Sequence, residues 1–324
     1  MAVRLLDALL NEHLNYEAEQ VHVLTALYGV ACRNEATPVH ISTAKCLELM
    51  KAATLVLDDF LDKASTRNGL PSIYAERGAE ESVLLGEMLR SSALIELCQV
   101  TRGMPAEVVT KAVCLFEETY RTICLGQLED AEMEKTPLTA TTPTEGDYFQ
   151  MIQHTSAVFI QLPLLLGGLL AGRSQPILHA LGEYGLKVGL AYQVRDDVLD
   201  ILASTTLTGK PHAGDIRNRK KRLPVLRLRD CCKAVERERL VGLFNGDGAM
   251  NEAAVEEVIA MMEKHGAVDS CKHTTATFCS EGLASIKGKV SEQELDQLAA
   301  IAGLLTDFTC LNEVRQEEAV SPPE

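Results

Sequence analysis

Apolar residues recur every three or four positions along nearly the whole chain, as in "LLDALLNEHL" from Leu5 and "HISTAKCLELMKAATLVL" from His40. That period places them on one face of a helix, and the two-residue alternation of a half-buried strand is almost absent. Breakers separate the periodic runs: Thr37-Pro38, Gly103 and Pro105, Pro137 to Pro143, Gly209 to Gly214, and Gly246 to Gly248. Between them the pattern predicts roughly ten helices in a single all-α domain over residues 1–316, with "EEAVSPPE" leaving residues 317–324 as a flexible tail. No repeat with a period of roughly 20–50 residues is present. One segment breaks the helical period without being short: "TLTGKPHAGDIRNRKKRLP", from Thr206, sets glycine, proline and basic residues between two apolar runs. A solvated linker has this composition, so what precedes it decides its meaning.

Composition narrows the function classes. The net charge of −15 is spread along the chain rather than gathered in a tail. It argues against nucleic-acid or anionic-membrane binding, each of which needs a basic face. The ten cysteines fall singly or as the neighbours Cys231 and Cys232, without CxxC spacing, as reduced buried thiols do. The N-terminus alternates apolar and charged residues, unlike a secretory leader, and "FIQLPLLLGGLLAG" from Phe159 is too short and interrupted to span a bilayer. The expectation is a cytoplasmic protein that does not span a membrane.

The chemistry concentrates in two acidic strings. "LVLDDFLDKASTRNG" carries Asp58, Asp59 and Asp62, and "YQVRDDVLD" carries Asp196, Asp197 and Asp200. On a helix, residues three and four apart share a face, so each trio crowds its carboxylates together. Like charges on an apolar helix are unfavourable without something positive among them. One DDxxD string is ordinarily a solvated face. Two, each in an apolar helix and each followed by a basic, glycine-containing loop, point to Mg²⁺, a hard cation that takes carboxylate oxygens and bridges to substrate phosphates. The pattern predicts a Mg²⁺-chelated diphosphate held between two facing helices.

With these residues the chain resembles the trans-isoprenyl diphosphate synthases, the farnesyl and geranylgeranyl diphosphate synthase family. Both aspartate motifs match, as do "GEYGLKVGLAYQVRDD", "GKPHAGDI" for the family's GKPxGxD, "KKRLP" for its KxTLP, Gly126-Gln127 and Asp147-Tyr148. The resemblance implies an antiparallel helical bundle around a central cavity, usually as a homodimer, with an allylic isoprenyl diphosphate as substrate. It implies metal and catalytic roles for the six aspartates. Arg67, Lys210 and Lys220 match the basic residues on the allylic diphosphate, and Thr155 and Gln193 match conserved pocket positions. Ala53 and Thr54 stand where bulky residues close the cavity floor in some members. Both are small, which implies a C15 to C20 tail.

The family's isopentenyl diphosphate site is degenerate. Its GGKRxRP segment has no counterpart near "NYEAEQVHVLTALYG", Lys51 stands at the histidine position seven residues before Asp58, and Asn68 replaces the second arginine of RRG. His154 stands where the family has a lysine beside Thr155. A hydrogen bond to a charged group contributes ~1.5–3 kcal/mol, so three lost contacts cost roughly 4–9 kcal/mol if additive, enough to make ordinary elongation poor. Lys51 can restore part of that, or be a surface lysine paired with Glu48. The resulting expectation is a Mg-dependent prenyltransferase using an acceptor other than isopentenyl diphosphate, its identity unknown. Alternatives are a terpene synthase derived from this family, a conventional synthase, or a non-catalytic subunit. No tryptophan and 4% aromatics disfavour elaborate cyclisation, which lines its cavity with rings.

Overall fold

A computed structural model describes residues 18–33, 37–67, 70–202 and 212–308, the side chains of 18–22 excepted. Among the described residues the chain forms thirteen α-helices and one minimal hairpin. In order these are α1 (Ala18–Ala31), α2 (Pro38–Asp62), β1 (Thr66–Arg67), β2 (Leu70–Pro71), α3 (Ile73–Val100), α4 (Ala106–Lys135) and α5 (Glu145–Ile152). A π-helical turn (Gln153–Ala157) leads into α6 (Val158–Leu170), followed by α7 (Gln175–Leu202), α8 (Gly214–Arg217), α9 (Leu223–Cys231) and α10 (Ala234–Phe244). The last are α11 (Glu252–His265), α12 (Ala267–Ile286) and α13 (Glu292–Thr306). The all-α expectation holds, and the extra helices are short pieces such as α8 that carry too few turns to show a period.

Breakers act where the sequence places them. Thr37 caps α2 by accepting from the His40 N–H at 3.3 Å, with Pro38 in the first turn, where its missing donor costs nothing. Thr144 and Asp147 form a reciprocal capping box at the start of α5. The run Glu145–Leu170 is long and apolar enough by composition for a membrane span, yet half of its most apolar window is buried inside the protein, as in a core helix.

The chain sorts into two compact units. The first takes the described residues up to Tyr120, Ile160–Gly182 and Ile286–Ile301. Its interior is built on Tyr28, Leu47, Met50, Leu97, Phe116 and Leu162, all less than 2% exposed, and the Tyr28 hydroxyl is satisfied by His40 Nδ1 at 2.7 Å. The second takes the described residues of Arg121–Phe159 and Glu183–Ser285 and those from Ala302 to Phe308. Its core gathers Tyr148 and Ile152 from α5, Leu223 and Leu226 from α9, and Val255, Met262 and Cys271 from α11 and α12. Helix α7 contributes Leu190, Val194, Val198 and Ile201 at spacings of four, four and three. Gln193, Asp197 and Asp200 follow the same rhythm on the adjacent stripe, so the helix that buries the core also sets the second acidic motif at its edge.

Candidate active site

In the first unit, α2 ends at Lys63, which takes a left-handed conformation (φ 51°) and returns its N–H to the carbonyls of Asp59 and Phe60. The hairpin follows, and Ser72 closes it twice: its N–H bonds the Ser65 carbonyl at 3.1 Å and its hydroxyl the Ala64 carbonyl. The same hydroxyl caps α3 by accepting from the Ala75 N–H at 3.0 Å. The result folds Arg67 back over the end of α2. Its Nε and Nη2 donate to Asp59 Oδ1 at 3.0 and 2.5 Å, and Nη2 also reaches Asp58 Oδ2 at 3.1 Å. Asp59 is buried, Asp58 half-buried and Asp62 exposed. Burial pulls the Arg67 guanidinium down, but the two aspartates outweigh it and hold it above its ordinary range. Arg67, expected on the diphosphate, is here turned onto the carboxylates of the first motif, and Asn68 lies outside the described residues.

The upstream residues divide. Lys51 and Glu48 are both buried, which corrects the surface-lysine alternative: the lysine stands inside the unit, and Glu48 also accepts from the Thr25 hydroxyl at 3.1 Å. Ala53 has no exposed surface, while Thr54 is half-buried with its hydroxyl bonded back to the Lys51 carbonyl at 2.8 Å. Of the two small floor residues, only Thr54 presents open surface.

In the second unit, the three aspartates of α7 do three different things. Asp196 is the most open, its side chain 38% exposed, 3.4 Å from Arg195. Asp197 is buried and accepts from the Tyr148 hydroxyl at 2.6 Å and Gln193 Nε2 at 2.8 Å. Gln193 in turn accepts from the Ser156 hydroxyl at 2.6 Å. This chain of bonds satisfies a carboxyl that burial, with help from Asp215, pushes well above the usual range, although Arg222, Tyr148 and Gln193 pull it back. Asp200 accepts from the backbone N–H groups of Gly214 and Asp215 at 3.2 and 3.0 Å and so anchors the loop leading to the basic segment. Thr155 sits in the π turn and bonds the Met151 carbonyl at 3.1 Å. Gly126 on α4 and Gly189 on α7 belong to the same knot. A Cβ on Gly126 would meet Thr155 N at 2.7 Å, and one on Gly189 would meet Ala157 Cα at 2.5 Å. Only glycine lets both helices approach the turn this closely.

Lys220 is nearly buried, 3.5 Å from Glu134, rather than a solvated loop charge. Lys210 lies outside the described residues. Sequence reasoning missed Arg222, whose guanidinium forms a bidentate pair with Asp130 at 2.6 and 3.0 Å and stands 3.6 Å from Asp215. The signal was present in "KKRLP", where arginine fills the threonine position of KxTLP. Tyr148 and Ser156 were missed as partners of Gln193 and Asp197 because nothing in linear spacing marks a hydrogen bond between helices.

The donor chemistry suits a divalent cation. Asp58 and Asp59 form an anionic cradle that already takes a cation, the Arg67 guanidinium, and Asp62 adds a carboxylate one turn on. In the second unit, taken by itself, Asp196 is the open carboxylate, Asp200 is engaged with the Gly214 and Asp215 N–H groups and Asp197 is committed inward. Among the described residues no three acidic, histidine or cysteine side chains converge on one point.

Comparison with known proteins identifies the family and the fold. The family model described as polyprenyl synthetase matches residues 17–262. A geranylgeranyl diphosphate synthase of Sulfolobus acidocaldarius is 30% identical over 206 residues, 64% of this chain and 61% of that protein. The chain therefore spans somewhat less than two thirds of the length of that curated relative. Among solved structures, a polyprenyl synthase from Caulobacter crescentus complexed with calcium and isoprenyl diphosphate superposes with a TM-score of 0.80 at 23% identity, covering 92% of this chain and 88% of its own. A geranylgeranyl pyrophosphate synthase from Corynebacterium glutamicum, complexed with isoprenyl diphosphate and magnesium, gives 0.76 at 22% identity, covering 89% and 85%.

Proposed function

The chain belongs to the polyprenyl synthetase family and has the all-α isoprenoid synthase fold, and from that footing we propose that it is a Mg-dependent prenyltransferase whose substrate is an allylic isoprenyl diphosphate of C15 to C20. In this reading the prenyl cation passes to an acceptor other than isopentenyl diphosphate. Asp58, Asp59 and Asp62 in the first unit, and Asp196 and Asp200 in the second, are the residues that would take Mg²⁺, which when bound would supply Lewis-acid stabilisation of the departing pyrophosphate.

The protein's own groups do the rest. Arg67 keeps Asp58 and Asp59 in one orientation and brings a permanent positive charge to the diphosphate. Lys220, with Lys210, would add compact charges on the same group. The Tyr148–Asp197–Gln193–Ser156 chain holds α7 and the π turn in register, so that Thr155 and Gln193 keep their pocket positions. Ala53 and Thr54, both small, would leave room for a tail longer than C10.

The observation supporting the unusual acceptor is the missing second set of cations. No lysine or arginine stands in "NYEAEQVHVLTALYG", Asn68 follows Arg67, and Lys51, at the family's histidine position, is buried. A second reading, ordinary chain elongation, has the names of the relatives, geranylgeranyl diphosphate synthases, in its favour. Incubation with Mg²⁺ and C10, C15 or C20 allylic diphosphates, with and without isopentenyl diphosphate, separates them. Pyrophosphate release from the C15 and C20 substrates that isopentenyl diphosphate does not accelerate is expected. Longer diphosphates as the main product would establish elongation, and a C10 preference would overturn the assigned tail length.

A further inference from the structure

The π turn carries a residue pair that this function has not used. Where α4 presses Gly126 against the backbone of His154 and Thr155, it presents Glu129 one turn further on. Both carboxylate oxygens of Glu129 are taken by the facing segment. Gln150 Nε2 donates to Oε1 at 2.6 Å, and His154 Nδ1 donates to Oε2 at 2.8 Å. Two donors four residues apart thus fix the carboxylate, and the carboxylate fixes the ring. Because a carboxylate only accepts, Nδ1 carries the hydrogen, and in the neutral ring Nε2 is then the nitrogen with the lone pair. Among the described residues Nε2 has no protein partner, and the side chain is 21% exposed, so a small molecule can reach it. His154 immediately precedes Thr155, a pocket position.

A lysine here, as in the family pattern, is a cation without a lone pair at neutral pH. A histidine oriented by a carboxylate is a base. We propose that His154, positioned by Glu129, accepts the proton of the prenyl acceptor, and that the acceptor is therefore an uncharged protic nucleophile, a hydroxyl or a ring N–H. This rests on the prenyl-transfer reading above. In the step, the C1–O bond of the allylic diphosphate breaks and its electron pair leaves with pyrophosphate. A lone pair of the acceptor heteroatom forms the new bond to C1, the electrons of its X–H bond return to the heteroatom, and the proton goes to His154 Nε2. The Glu129 carboxylate balances the imidazolium until the proton passes to solvent. Nothing is oxidised or reduced.

A pair that only fastened α4 to the turn would look the same at rest but respond differently to change. The test uses the full chain with Mg²⁺ and geranylgeranyl diphosphate, with phenol and indole as probe acceptors and water always present. Prenylated or hydroxylated product and released pyrophosphate are measured separately for the wild type, His154→Gln, Glu129→Gln, and His154→Ala with and without added imidazole. In His154→Gln the product formed per pyrophosphate released should fall by about 10²–10⁴-fold. Glu129→Gln should give a smaller fall, and imidazole should restore part of the yield in His154→Ala. Product and pyrophosphate falling in parallel, alongside a lower melting temperature and no response to imidazole, would make the pair a structural tie and sink the proposal. Hydrocarbon as the only wild-type product would also sink it, since no protic acceptor is then used. Failure of the underlying reading is visible earlier, in the wild type alone, as isopentenyl-dependent elongation.

Discussion

Arg222 and Asp130 show how one side chain changes the balance of a site. Burial drives the Asp130 carboxyl up, yet the guanidinium beside it prevails and holds it below the ordinary carboxylate range. Burial likewise pulls Arg222 down while Asp130, Asp215 and Asp197 hold it well above its usual value. Breaking such a pair from one side strands a buried charge, so Asp130→Asn should lower stability by about 3 kcal/mol, with Asp130→Asn/Arg222→Met recovering part of the loss. The sign of the pH dependence follows from a depressed folded value. The contribution is complete above the unfolded carboxylate value, near ~3.9, and drains away as pH falls through the lower folded one. Urea melts at neutral and acidic pH should therefore show the wild type well ahead of Asp130→Asn at pH ~7 and the gap closing below pH ~4. A gap that stays constant across that range would show that the pair is not the source of the difference.

Helices, with their caps, were legible because each reports on itself: Thr37-Pro38 opens α2, and the three- and four-residue apolar rhythm fixes the buried face of α7. What stayed hidden were the features set by two elements at once. The π turn looks like ordinary helix in "MIQHTSAVFI", and only the approach of Gly126 and Gly189 reveals why residues 153–157 depart from it. Asp197 reads as one of three equivalent aspartates until Tyr148 and Gln193 are seen to enclose it. The glycine rhythm of "GEYGLKVGLAYQ" gains its physical content here. Gly189→Ala would put a methyl 2.5 Å from backbone, which no rotamer relieves. A destabilisation of ~1–3 kcal/mol is expected, together with a loss of turnover larger than stability alone predicts, because the shift separates Gln193 from Ser156. Gly242 on α10 is the control, since nothing lies within 4 Å of its added Cβ. There alanine should be neutral or stabilising by up to ~1 kcal/mol. Equal effects at the two glycines in thermal melts and pyrophosphate-release assays would remove the packing argument.

At the scale of the whole molecule the issue is charge. A chain at −15 repels a diphosphate until cations intervene. Among the described residues, two arginines near the motifs are already turned toward aspartates: Arg67 on Asp58 and Asp59, and Arg222 on Asp130. If the proposed function holds, these arginines have part of their charge already balanced by aspartates, and most of the attraction for the diphosphate would arrive with the metal. Pyrophosphate alone should therefore leave the melting temperature nearly unchanged, and Mg²⁺ alone should move it little. The two together, at about a hundred times the dissociation constant, should stabilise by ~2.7 kcal/mol, or roughly 5 °C. Asp58→Asn should lose most of that joint shift, because it removes a carboxylate from the cradle and leaves Arg67 with Asp59 alone. If the variant keeps the full shift, or if pyrophosphate raises the melting temperature as much without metal as with it, the first motif is not where cation and diphosphate meet. The basic segment following Asp200 would then have to bind the anion unaided, against the field of the protein that carries it.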